Sequence, residues 1–344
     1  MKIKKIISGI LIAVIVLAGG LAYKFYSKIY ASNVIDNSAI YIPTNASFED
    51  VVKLVDPHIQ NMDSFTWVAS KKNYPNLIKP GKYLIKKGMS NNELINLLRS
   101  GVQTPVMLTF NNQDSVEKLA GRIAAQIEPD SLQILNALLD PDFLTKNDLT
   151  KANILQIFIP NTYQFFWNTS PKTFRERMLK EYNNFWNESR LKKAKAQKLT
   201  PGQVMTLASI VQKETAHRSE RPVVAGLYLN RLHNYWPLQA DPTILFALKQ
   251  KYGEDYEVKR ILNGDLTIDS PYNTYKNSGL PPALIGMPDI SSIDAVLNPK
   301  IHDYYYMCAS VTNLGFHEFS KTLAQHNVNA EKYRKWVSAQ GIKR

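Results

Sequence analysis

Between Ile6 and Tyr23 the chain carries no charged residue, in the run IISGILIAVIVLAGGLAY. A run of that length only just spans the hydrocarbon core of a bilayer, but it does span it. Lys2, Lys4 and Lys5 precede it and no comparable basic cluster follows directly, which places the N-terminus in the cytoplasm. Gly20-Leu21-Ala22 would also serve as the small-x-small cleavage site of a signal peptide. The apolar run exceeds a usual signal core, however, and this favours an uncleaved single-pass anchor in the cytoplasmic membrane. No cysteine stands near it to take a lipid. On either reading the rest of the chain folds on the outer, periplasmic side.

The chain has 344 residues, enough for two folded units plus an appendage. Cys308 is the only cysteine, so an exported domain has no internal disulfide and its core must hold it together. Cys308 follows Tyr304-Tyr305-Tyr306-Met307, an aromatic run that reads as a strand, and is expected as a small buried hydrophobe. The formal charge of +13 favours anionic partners such as headgroups, nucleic acid or a wall polymer. Export argues against nucleic acid. The basic run Arg190 to Lys198 lacks interleaved aromatics and reads as a solvated helix face.

In chain order, 1–23 is the cytoplasmic start and transmembrane anchor, and 24–38 a short polar tether. A small α+β module follows over 39–101. Ser47 and Asp50 open its first helix, Gly81 to Ile85 is a strand, and Ser90 with Glu93 forms a capping box for a second helix that Gly101 stops. A larger α+β unit occupies 102–344. Val106–Phe110 reads as a strand and Ser115–Gln126 as a helix. The aromatic stretch 158–167 is either core or a platform for sugar rings. A long charged helix is expected from Pro171 to about Lys198, with Phe174, Met178, Tyr182 and Phe185 inward. Two short strands at 304–309 and 316–320 precede a final helix.

The decisive stretch is TPGQVMTLASIVQKETAHRSERPVVAGLYLNR, from Thr200 to Arg231. Thr200 is a good N-cap, Pro201 suits the first helical position, and Gln203 completes a capping box. Val204, Leu207, Ala208 and Val211 repeat at helical spacing, and Glu214 lies on that same stripe. A carboxylate against an apolar wall is poorly solvated, so its pKa rises. A carboxyl group so tuned can act as a general acid at neutral pH. The plainer alternative is a solvated glutamate that marks the end of the stripe. A second helix carries Val224, Leu227, Tyr228 and Arg231 on one face. Asp241 then caps and Pro242 opens another, which Gly253 ends.

Several of these segments resemble the endolytic murein transglycosylase family, also described as MltG or YceG-like. LASIVQKET at 207–215, LYLNRL at 227–232, LQADPT at 238–243, YNTY at 272–275, GLPP at 279–282 and HEFSKTLAQHN at 317–327 carry the resemblance. Residues 78–101 look like the family's LysM-like subdomain. Two departures stand out. Asn111-Asn112-Gln113 occupies the place of a Pro-Glu-Gly turn. Asn161 stands where the family usually has an aspartate, with the shape kept and the charge lost.

The resemblance implies a lytic transglycosylase acting on peptidoglycan, with Glu214 as a single acid and base. Protonated Glu214 would donate to the oxygen of the β-1,4 bond between N-acetylmuramic acid and N-acetylglucosamine. The bond would break through an oxocarbenium-like state. The same carboxylate would then take the proton of the muramyl C6 hydroxyl, which closes onto C1 and leaves a 1,6-anhydro end. No water, cofactor or metal is required. None of the six histidines forms a recognisable metal-ligand spacing. Glu220 is expected in a substrate-binding or orienting role, paired with Arg218 or Arg221. Gln239, Asp241, Tyr272, Asn273, Thr274, Tyr275 and Asn327 have the character to hold acetamido and hydroxyl groups, and His326 could orient a neighbour. The anchor places the activity on nascent strands near the peptidoglycan synthases, as a terminator of elongation. A non-catalytic wall-binding scaffold and a water-using muramidase remain open, the latter needing a second carboxylate beside Glu214.

Overall fold

The structure is a computed structural model that describes residues 2–258 and 261–340. The fold is α+β, and the chain divides into two compact units. The first comprises Met1–Leu108, Ala124–Pro129 and Tyr163–Ser170; the second comprises Thr109–Ile123, Asp130–Thr162 and Pro171–Arg344. Met1 and residues 341–344, the outer limits of the expected anchor and large unit, lie outside the described residues.

The first unit opens on α1 (Lys2–Tyr30), followed by β1 (Ser38–Ile42), α2 (Phe48–Val55), α3 (Met62–Lys71), β2 (Gly81–Ile85) and α4 (Asn91–Ser100). The stretch Lys5–Tyr30 of α1 is long and apolar enough to cross a membrane. At about 1.5 Å per residue, α1 is roughly 43 Å long, more than a hydrocarbon core of about 30 Å requires. Its last turns pack on the module, with Phe25 stacked on Trp67 at 5.5 Å and the Lys28 carbonyl accepting a bond from Asn91 Nδ2 at 2.9 Å. The stretch expected as a polar tether is therefore helical as far as Tyr30. Helicity persists because Phe25 and Ile29 find apolar partners there. Strands β1 and β2 pair antiparallel, Ile40 facing Tyr83 and Ile42 facing Gly81. Their alternate residues Ile40, Ile42, Tyr83 and Ile85 turn into a core with Phe65, Val68, Leu94 and Leu98. Ser47–Asp50 and Ser90–Glu93 both form capping boxes, and Gly101 ends α4 at φ 70°.

The division between the units runs through β3 (Val106–Phe110) and β4 (Asn161–Phe165), which pair in a second small sheet. The second unit adds α5 (Val116–Ala124), α6 (Ser131–Leu138), α7 (Pro141–Lys146), α8 (Pro171–Phe185), α9 (Glu188–Ala196), α10 (Pro201–Glu214), α11 (Arg221–His233), α12 (Asp241–Tyr252), α13 (Ile290–Leu297), β5 (Tyr306–Ala309), β6 (His317–Ser320) and α14 (Leu323–Ala339). The long helix expected over 171–198 is two helices. Trp186 is buried at the break, and Asn187 caps α9 by accepting from the Arg190 amide at 3.0 Å. The basic face of α9 is solvated as the sequence indicates, with Ala194 its single buried residue. Phe158 is core, in contact with Phe110 and Phe174.

Helix α10 is the axis of this unit. Thr200, Pro201 and Gln203 start it as a capping box with proline in the first turn. Every residue from Val204 to Val211 is buried, so the helix has no polar face and the expected single stripe is a full circumference. The reason is its neighbours, since α9, α11, α12 and α13 all pack on it. Its polar side chains are satisfied locally. Thr206 Oγ1 donates to Gly202 O, while Ser209 Oγ donates to Thr206 O and accepts from the Ile285 amide.

Candidate active site

Glu214 is the last residue of α10, where the buried helix meets open space. It is half-buried. Burial raises its carboxyl pKa to about 7; the Tyr228 hydroxyl and Arg231 pull it down, while the Asp241 charge pushes it up. Tyr228 reaches Glu214 from α11, its hydroxyl donating to Glu214 Oε1 at 2.5 Å. Burial and the neighbouring carboxylate hold that phenol well above its ordinary pKa, so it remains a donor. One turn along, Arg231 is buried and spends two donors on main-chain carbonyls, Nε on Tyr305 O at 2.7 Å and Nη1 on Leu238 O at 2.6 Å. Arg231 thus fixes the strand that follows α13 and the segment leading to α12.

That segment carries the second carboxylate. Gln239 sits at φ 52° and its amide bonds Thr274 O at 3.0 Å. Asp241 lies inside the first turn of α12, and the cap position belongs to Ala240 without a side-chain bond. The capping role expected of Asp241 is therefore absent. Its Oδ1 instead accepts the Tyr275 hydroxyl at 2.5 Å. Glu214 and Asp241 are common to two cavities. One, of about 250 Å³, is lined also by Tyr228, Gln239, Tyr275 and His317. The other, of about 420 Å³, has an apolar wall of Leu245, Phe246, Ile261 and Ile285, with Lys213 and Asp114 paired at 2.6 Å on its edge. The two carboxylates thus stand midway along a cleft with room on both sides. A larger cavity of about 570 Å³ lies at the far end of α10, around Thr200 and Pro281-Pro282. Among the described residues, no carboxylate lines it.

The remaining expected residues fall into three places. Tyr272, Asn273 and Thr274 are buried supports. Tyr272 packs on Phe246, Asn273 Nδ2 bonds the Leu266 and Ile268 carbonyls, and Thr274 Oγ1 bonds the Ala240 amide and Thr243. They shape the loop that presents Tyr275. Glu220 pairs with neither Arg218 nor Arg221: its carboxylate holds His317, while Arg221 Nη1 bonds Asp289 at 2.8 Å. Asn327 is exposed on α14 and lies away from the cavity lining; Asn329, two residues on, is the buried one, bonded to Ser320. His326 stacks on Tyr306, and its Nδ1 is buried without a partner among the described residues. Sequence reasoning missed His317 as a site residue, and read Tyr228 and Arg231 only as a helix face. No group of His, Cys, Asp and Glu among the described residues is arranged to hold a metal.

The sequence pattern of the YceG-like family matches residues 40–332. The chain belongs to that family. An endolytic murein transglycosylase of Bacillus subtilis (strain 168) is 30% identical over 315 residues, spanning 86% of this chain and 84% of the relative. An endolytic murein transglycosylase of Streptococcus pneumoniae (serotype 2, strain D39) is 28% identical over 279 residues, covering 72% of this chain and 49% of its own length. The crystal structure of a YceG-like protein from Listeria monocytogenes superposes with a TM-score of 0.57 at 29% identity, over 85% of this chain and 98% of that one.

Proposed function

We propose that the protein is a membrane-anchored endolytic murein transglycosylase. The family and the activity named for its relatives support the general function. The observation that carries the mechanism is the position of Glu214, a carboxyl raised to about pKa 7 in the middle of a cleft open on both sides. A group with that pKa is half protonated near neutrality and can give a proton to a leaving oxygen. Cavities on both sides let a glycan pass through, so that the bond broken is internal.

In the proposed reaction Glu214 protonates the glycosidic oxygen between N-acetylmuramic acid and N-acetylglucosamine. The muramyl C6 hydroxyl closes onto C1 and gives the 1,6-anhydro end. Tyr228 holds Glu214 in position. Asp241 and Tyr275 orient sugar hydroxyls at the junction of the two cavities, and Gln239 faces the smaller one. In this reading α1 anchors the chain with its N-terminus inside and the cleft on the outer side of the cytoplasmic membrane, which the lysines ahead of the apolar run support. There it acts on nascent strands near the synthases and ends their elongation.

One observation favours a second reading. Asp241 is a carboxylate sharing both cavities with Glu214, and a water-using muramidase needs such a partner. Its bond to Tyr275 gives it a positioning role instead. The two readings differ in product. The full-length chain, in detergent with purified peptidoglycan, is expected to release anhydromuramyl ends by mass spectrometry. Reducing ends would establish hydrolysis, and binding without release would establish a scaffold.

A further inference from the structure

Glu220 is a buried acid to which the reaction as described gives no task. It precedes α11, is 5% exposed, and has both carboxylate oxygens committed to one residue. Oε1 accepts the His317 amide at 2.7 Å, and Oε2 stands 2.9 Å from His317 Nδ1. A carboxylate can only accept, so the Nδ1 position carries the hydrogen, and the neutral ring keeps a lone pair on Nε2. The double attachment also fixes the orientation of the ring. His317 lines the 250 Å³ cavity together with Glu214, and its side chain is 18% exposed. No protein group among the described residues bonds Nε2. A carboxylate that orients a cavity-lining histidine, with no protein group on its other nitrogen, has the make-up of the base half of a catalytic triad without its hydroxyl. The hydroxyl must then arrive with the substrate.

We propose that His317 Nε2 accepts the proton of the muramyl C6 hydroxyl, with Glu220 as its positioning residue. This rests on the transglycosylase reading above. The C1–O4 bond breaks first: its electrons go to O4, which takes the proton of Glu214, and C1 is left oxocarbenium-like. O6 then gives its proton to Nε2 as its electron pair forms the O6–C1 bond on the face that O4 has left. The enzyme is left with ionised Glu214 and protonated His317. The proton returns to Glu214 through the cavity once the product leaves, so no water is consumed. Acid and base are then separate groups, and Glu214, ionised once O4 has left, does not itself have to take up the O6 proton.

The test uses the full-length chain and purified peptidoglycan, reading rates and end types for wild type, His317→Ala, Glu220→Gln and Glu214→Gln. His317→Ala is expected to lower kcat roughly 10²–10⁴-fold, the usual range for a lost general base, with KM little changed. Its residual product should contain more reducing ends, because water competes when O6 is not deprotonated. Added imidazole should restore turnover and anhydro ends, a response that a purely structural role of His317 would not give. Glu220→Gln, which keeps the histidine, should lose about 10-fold and melt near wild type. A His317→Ala chain that melts normally and cuts at the wild-type rate would overturn the proposal. So would a loss that imidazole does not relieve, with wholly anhydro products. If His317→Ala does not fold, a fully active Glu220→Gln overturns it as well. Absence of anhydro ends from wild type itself would instead sink the transglycosylase reading, and this proposal with it.

Discussion

Glu214 is a carboxylic acid whose environment favours its neutral form, and two measurable consequences follow. Its folded pKa of about 7 lies above the ordinary value of 4.5. The native state therefore holds this proton more tightly than the unfolded chain does. The associated stability is fully present below about pH 4.5 and is lost as pH rises through 7. Glu214→Gln should thus match wild type at low pH and exceed it above pH 7, by on the order of 3 kcal/mol at full ionisation. Thermal melts of both chains at pH 5 and pH 8.5 check this; a variant less stable at the higher pH would contradict it. Activity should fall above pH 7 as the acid form disappears. Tyr228→Phe removes the donor that favours the ionised form, so the alkaline limb should move to higher pH while kcat drops. A pH–rate profile unchanged by that substitution would mean that Tyr228 does not tune Glu214. The burial of Glu214 was legible in the sequence, because its spacing from Val211 places it on an apolar face. Tyr228 was legible only as one residue of a helix face, since what it bonds depends on how α11 crosses α10. His317 was illegible for the same reason: its partner Glu220 is 97 residues away in sequence.

Among the elements, those marked by local chemistry were readable, including the capping boxes at Ser47, Ser90 and Thr200 and the stop at Gly101. Two kinds of element escaped. Helix α3 is short and depends on Asn61 as cap and on Phe65 and Val68 meeting the module core. The break between α8 and α9 is set by burial of Trp186, which charge patterning does not reveal. Helix α11 shows how tightly the elements around the site are fitted. A Cβ at Gly226 would clash with the Lys300 carbonyl oxygen and stand 2.8 Å from His302 Nε2. The carbonyl belongs to the main chain and cannot swing aside. Gly226→Ala should therefore destabilise by roughly 1–3 kcal/mol and lower activity by shifting Tyr228 and Arg231. A melting temperature equal to wild type would show that α11 has room to move. At the other end of the chain, α1 continues to Tyr30 and is packed against α3. Trp67 should then lie at headgroup depth beside Lys28 and Lys71, 5.4 and 6.0 Å from its ring. In proteoliposomes, a headgroup-attached quencher should reduce the emission that Trp67→Phe removes. No such quenching would place the module away from the bilayer.

For the whole molecule, the proposed function joins an apolar helix to a unit whose cavities meet at Glu214, and would have the enzyme cut strands while they are still near the membrane. The apolar helix was readable from composition. The cleft was not, because its walls come from α10, α11, α12, the loop before Tyr275 and the β5–β6 hairpin. Only packing brings those segments together. A cleft open on both sides of Glu214 predicts internal cuts. Long strands should shorten by statistical halving rather than release one disaccharide at a time, and size-exclusion profiles during digestion would show which occurs. The most direct measurement is turnover by the full-length Glu214→Gln chain on intact peptidoglycan, set beside its retention on the same material. We expect wall binding like that of wild type and no anhydromuramyl ends. Anhydromuramyl ends released at a rate near that of wild type would contradict Glu214 as the acid and move the chemistry elsewhere in the cleft.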